Sequence, residues 1–238
     1  MKASAFAAMA LTGALSVYAM PGFAGEEEKP LDSSRLSAAN EALYTTNHLE
    51  SITEPVTLIY DFERKGTLGE AFTDKVEERI TKVLPSGRKN LSFRFLSGKH
   101  RVRFSPRYGF NGNPIFMLFL ERDVRQLQRL TGGSALYFRT RIRDALAGSA
   151  ETNPTTFSFN GETFSGIEIR IQPFANAELK KRFPRLARKI YVFVLSDKIP
   201  GGFYRISSLT PVRKGDSMTS DETVTFREIV TADEKRKK

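Results

Sequence analysis

The sequence predicts an α+β protein that is mainly β: a curved antiparallel sheet, an open or half barrel, wrapped on a helical hairpin. Three observations carry this. Segments of alternating apolar residues lie on both sides of a central stretch with helical periodicity. The order of strands, helix pair and strands lacks the regular β-α alternation of a parallel doubly wound sheet. Turn signatures, Asn160-Gly161 the strongest, separate the alternating segments at hairpin spacing.

The chain has 238 residues, and residues 1–24 read as a secretory signal peptide. Lys2 starts it, Ala3 to Ala19 is almost continuously apolar, and Gly22 and Ala24 stand at −3 and −1 of a cleavage site; cleavage after Ala19 is the alternative. The run is shorter than the ~20 residues that span a membrane and is interrupted by Thr12, Gly13 and Ser16. Export to the periplasm follows, with secretion as the alternative. Without this segment the chain keeps 36 Lys and Arg against 27 Asp and Glu, a net charge of +9. It has no Cys, which excludes disulfide frameworks, thiolate metal sites and thiol nucleophiles.

Residues 25–54 are polar and read as an N-terminal linker or arm, either mobile or docked, with a short helix around Ser37–Tyr44. A single β-rich domain over 55–230 follows. In its first strand Val56, Leu58, Tyr60 and Phe62 share a face. Residues 72–83 fit either a helix or a strand, because Phe72, Val76 and Ile80 align in both. The turn cluster Leu84 to Lys89 and the alternation of Leu91, Phe93 and Phe95 favour a long hairpin. Val102 and Phe104 continue the alternation to Ser105-Pro106.

Over 114–147 the period becomes helical. Asn113 is an N-cap before Pro114, and Phe116, Leu120, Val124 and Leu127 form a stripe ending at Gly132-Gly133. Ser134 caps a second helix striped by Leu136, Phe138, Ile142 and Leu146. Beyond it, the Asn160-Gly161 hairpin shows a phase switch between Phe164 and Ile167 that a bulge at Gly166 would explain. A short helix over Asn176 to Arg182, a two-sided apolar strand Ile190 to Leu195, and strands over Phe203–Leu209 and Glu222–Val230 complete the domain; 231–238 is a basic tail.

An exported chain with this layout resembles the periplasmic open β-barrels of the lipoprotein-carrier, LolA-like class: a signal peptide, long hairpins through Phe95, the helical pair 114–147, then the Asn160-Gly161 hairpin. The resemblance is one of layout and rests on no specific motif. It implies a sheet wrapped around helices and a lipid or lipidated segment held on the concave face.

Catalytic constellations are missing from the sequence. His48, in the arm, and His100, between Lys99 and Arg101, read as surface histidines. Glu121 and Asp123 are two residues apart, about 200° around a helix, and cannot flank one bond. Glu121 instead precedes Arg125 by one turn, the favourable order for an ion pair. No enzyme activity, metal or cofactor is expected; the remaining alternative is a carboxylate hydrolase whose residues come together only in the fold.

Two features suggest binding. Arg122, Arg125 and Arg129 lie on one side of the first helix, and Arg139 and Arg143 on one side of the second. These form either a solvated, ion-paired face or an anion site. Export makes nucleic acid an unexpected partner and leaves a lipid, an anionic membrane surface or an envelope protein. Ile115, Phe116, Phe119 and Leu120 belong to a helix turn that is apolar all round, so they either fill a core or line an acyl-chain cavity. The sequence thus predicts an exported, non-catalytic envelope protein that binds or carries a lipid or lipidated partner in the concave face. The alternative is a structural envelope protein with a packed core, acting through its basic surface on a protein or membrane. The oligomeric state stays open.

Overall fold

The computed structural model describes residues 36–66, 70–211 and 220–231. The expected signal peptide 1–24, the start of the arm and the tail beyond Thr231 lie outside the described residues. The strands are β1 (Val56–Gly66), β2 (Phe72–Val83), β3 (Lys89–Phe95), β4 (Arg107–Phe110), β5 (Glu151–Phe159), β6 (Glu162–Ile171), β7 (Ile190–Leu195), β8 (Phe203–Leu209) and β9 (Ser220–Thr231). They form one antiparallel sheet in the order β4-β3-β2-β1-β9-β8-β7-β6-β5, not closed into a barrel. Residues 72–83 are a strand, since Val76 and Ile80 pair with β1 or β3 on the face that β1 fills with Tyr60 and Phe62. The last strand, β9, lies in the middle of the sheet between β1 and β8.

The helices are α1 (Ala38–Asn40), continued by a π turn, α2 (Ile115–Thr131), α3 (Ala135–Gly148) and α4 (Ala177–Arg182). The Asn113 Oδ1 accepts the Ile115 N–H at 2.9 Å, and its Nδ2 donates to Tyr60 Oη at 3.0 Å and Gly201 O at 2.8 Å. One side chain therefore starts α2 and ties it to β1 and the β7–β8 turn. Gly132 ends α2 at φ 69°, and Ser134 Oγ caps α3 by accepting the Leu136 N–H at 3.2 Å. Side chains of α2 touch β1 through Phe62, β9 through Glu222, β8 through Phe203 and β7 through Phe193. The contacts run from β7 and β8 at Phe116 to β9 and β1 at Arg122, so α2 crosses four neighbouring strands of the sheet. Phe116 stacks on Phe203 at 5.4 Å and meets Phe193 edge-on at 6.3 Å, at the centre of the core. Among the described residues no helix is long and apolar enough to cross a membrane.

One open alternative is decided and two expectations change. From Leu36 the arm is docked: Ala39, Leu43, Leu49 and Ile52 join the core at 0–5% exposure, and Ser37 Oγ donates to Leu146 O at 2.7 Å. A few well-spaced apolar residues suffice, which is why the segment reads as polar. The alternation at Val102 and Phe104 yields only an isolated bridge to Phe95; the fourth strand begins after Pro106. Gly166 carries no bulge, because β5 and β6 stay in register from Glu151↔Arg170 to Phe159↔Glu162. Phe164 lies on the face opposite Ile167 and Ile169. Gly166 is needed instead for close approach: a Cβ there would stand 2.3 Å from Leu195 O. The Asn160-Gly161 turn has the expected positive φ angles, 52° and 84°.

Candidate functional site

A cleft of about 570 Å³ opens between α2 and the segment that leaves β3. After Phe95 the chain turns through Leu96 at φ 61°, and Asp74 on β2 pins the turn. Its Oδ2 accepts Ser97 N–H at 2.8 Å and Ser97 Oγ–H at 3.0 Å, while Leu96 N–H donates to Lys75 O at 3.1 Å. Beyond the single helical turn Gly98–His100, Val102 N–H donates to Phe95 O at 2.9 Å. Val102 and Phe104 pack on the core, Phe104 edge-on to Phe95 at 5.4 Å. Arg101 and Arg103, one residue out of phase, line the cleft. Arg122, Arg125 and Arg129 of α2 form another wall, with Arg64 of β1 and Lys99 beside them.

Aromatic rings underlie these cations. His100 stacks on Phe72 at 3.8 Å, and Phe72 stacks on Phe62 at 5.3 Å. The Arg122 guanidinium sits 5.0 Å over Phe62, and that of Arg125 5.5 Å over Phe104. Such contacts hold a guanidinium plane against the wall and limit the side-chain entropy lost when it binds an anion.

Carboxylates answer some of the charge. Glu222 of β9, 2% exposed, pairs with Arg122 and stands 3.7 Å from Arg64. Glu121 takes Arg139 at 2.8 Å and Arg125 at 3.2 Å; Arg139 first, then Arg125, holds its carboxyl below the usual range. Lys99 pairs with Glu70 at the exposed rim. Arg101, Arg103 and Arg129 have no acidic partner among the described residues.

Of the arginines that the sequence singles out, Arg122, Arg125 and Arg129 converge in the cleft. Arg139 crosses from α3 to Glu121 and so ties the helical hairpin together, and Arg143 is 73% exposed beside Asp144. Ile115, Phe116, Phe119 and Leu120 lie in the packed core at 0–6% exposure. Glu121 and Asp123 do face different ways. Asp123 turns inward, accepting Lys189 Nζ at 2.8 Å and the Tyr191 hydroxyl, and binds α2 to β7.

Sequence reasoning missed Arg64, Lys99, Arg101 and Arg103 as site residues, although the alternation of Val102 and Phe104 already puts Arg101 and Arg103 on the other side. It also misplaced His48. The ring is seated beside Gly202, where a Cβ would stand 2.7 Å from Cδ2, and lies 4.8 Å from Phe203. Its Nε2 is 2.8 Å from Ala42 O, and burial pushes its pKa down. Glu78 went unnoticed because Val76 and Ile80 flank it on the inward face. It is fully buried, neither carboxyl oxygen has a partner among the described residues, and burial pushes its pKa up to about 8.

No protein-family model and no curated protein matches the chain. Among solved structures it is similar to the lipoprotein LppX of Mycobacterium tuberculosis, at a TM-score of 0.32 and 9% identity, over 77% of this chain and 91% of that one. It is also similar to the LolA superfamily protein NE2245 of Nitrosomonas europaea, at a TM-score of 0.22 and 9% identity, over 81% of this chain and 92% of that one.

Proposed function

We propose that this protein is an exported, non-catalytic envelope protein that acts through its basic cleft on an anionic membrane face. The observation that carries the reading is the gathering of seven Lys and Arg side chains in one cleft, with Arg101, Arg103 and Arg129 unanswered by carboxylates among the described residues. Like charges brought together repel, and an anion supplied from outside removes that repulsion. Phosphate suits arginine, whose planar fork bonds two oxygens at once. Each Lys or Arg near an anionic leaflet contributes about 1 kcal/mol, so a cluster binds where one side chain would not. The signal peptide expected at residues 1–24 favours phospholipid over nucleic acid as the source of phosphate. The burial of Ile115, Phe116, Phe119 and Leu120 favours a filled core acting through its surface over an acyl-chain site beside that turn.

Co-sedimentation of the mature chain with vesicles at low salt tests this. Binding to phosphatidylglycerol-containing vesicles, absent with phosphatidylcholine alone, is expected, with loss at 1 M salt where the Debye length falls to about 3 Å. The combined change Arg101→Ala, Arg103→Ala and Arg129→Ala removes it while leaving the melting temperature nearly unchanged. Binding that ignores lipid charge, or that survives the triple change, overturns the reading.

A further inference from the structure

The geometry points to a ligand for the cleft more specific than a charged surface: a lipid headgroup carrying two phosphate groups, seated with Leu130 at the acyl boundary. This rests on the membrane reading above and sharpens it. The guanidiniums without an acidic partner among the described residues come from two separately built walls, Arg101 and Arg103 from the segment pinned by Asp74, and Arg129 from the last turn of α2. Arg125, one turn before Arg129, is already engaged by Glu121 and by the face of Phe104. Seven cations line the cleft, and among the described residues Glu70 answers Lys99, Glu121 answers Arg125 and Glu222 answers Arg122. One phosphodiester, with a single negative charge, would compensate one of these three guanidiniums and leave two unanswered. Two phosphates in one headgroup can engage both walls, each as a bidentate acceptor for a guanidinium fork. The volume of about 570 Å³ lies within the range of about 300–1,000 Å³ typical of small-molecule sites and exceeds what a lone phosphate needs.

The cleft also has an apolar lip, and this separates a lipid from a soluble anion. Leu130, 53% exposed, and the half-buried Val102 line the same space as the arginines. A free diphosphate gains nothing from them. A headgroup arriving on a membrane brings glycerol carbons and the first methylenes of its chains, which bury Leu130 while the phosphates stay among the guanidiniums.

The test compares vesicles of matched surface charge density containing either phosphatidylglycerol, with one phosphate, or cardiolipin, with two. Cardiolipin vesicles are expected to bind about tenfold more tightly. The change Arg129→Ala should abolish that preference while leaving weak binding to both. The change Leu130→Ser should weaken vesicle binding and leave calorimetric binding of free pyrophosphate unaltered. Equal affinity for the two vesicles overturns the two-phosphate ligand and leaves the membrane reading intact; binding to neither overturns both. Vesicle binding that Leu130→Ser does not weaken, with pyrophosphate held as tightly as cardiolipin, overturns the lipid and assigns the cleft to a soluble diphosphate.

Discussion

Arg122 and Glu222, 100 residues apart in the chain, form an ion pair at the base of the basic cleft, with the carboxylate 2% and the guanidinium 11% exposed. This pair joins α2 to the central strand β9. Removing one member of a buried pair leaves the other charge uncompensated, a loss of about 3–5 kcal/mol. Glu222→Gln is therefore expected to destabilise the fold by about 3 kcal/mol, read as a lower urea midpoint, because Arg64 loses its nearby carboxylate as well. Adding Arg122→Met should recover much of the loss. A midpoint unchanged by Glu222→Gln would show that the pair does not anchor the helix.

Glu78 makes the fold most stable in acid. Its carboxyl is pushed up to about 8 by burial, so between the unfolded value of 4.5 and about 8 the folded state holds a proton that the unfolded state releases. Stability then falls as pH rises through that window. Glu78→Gln, which keeps the shape without the charge, is expected to gain on the order of 2 kcal/mol at neutral pH and to flatten the decline. Denaturation at several pH values checks it; an identical decline in the variant would place its cause elsewhere.

His48 works in the opposite direction. Burial lowers its pKa in the fold, so the unfolded chain takes up the proton first as pH drops below 6.5, and stability is lost on acidification. The arm it belongs to should loosen first, seen as faster hydrogen exchange between Ala39 and Ile52 at pH 5 than a control strand shows after correction for intrinsic rates. His48→Gln should remove that acid sensitivity. Uniform exchange across the fold would rule out a local latch.

Phe116 distinguishes a filled interior from a hollow one. It is 1% exposed, stacked on Phe203 and edge-on to Phe193. If these contacts are core, Phe116→Ala costs about 3–5 kcal/mol. A loss below about 1 kcal/mol, together with lipid co-purifying in native mass spectrometry, would mean that the helix lines a ligand cavity instead.

Much of the fold was legible because local chemistry decides it. The alternation of Val56 to Phe62, the paired positive φ angles at Asn160-Gly161 and the caps around Gly132 and Ser134 each act within a few residues. The site was half legible. Helical spacing alone gathers Arg122, Arg125 and Arg129, but Arg101 and Arg103 join them only because Asp74, more than twenty residues earlier, pins the intervening turn.

By itself, then, the sequence determined most element types, the helical hairpin, the export expectation and the cationic face of α2, since period and residue chemistry are properties of short stretches; strand pairing had to decide residues 72–83. Tertiary structure decided three things. It put β9 at the centre of the sheet, where Glu222 takes Arg122 and leaves Arg129 unpaired among the described residues. It seated His48 against Phe203. It buried Glu78 in line with Val76 and Ile80. Each outcome depends on which distant strand arrives next to a side chain, and on whether that neighbour brings a charge, a hydrogen-bond partner or only a hydrocarbon wall.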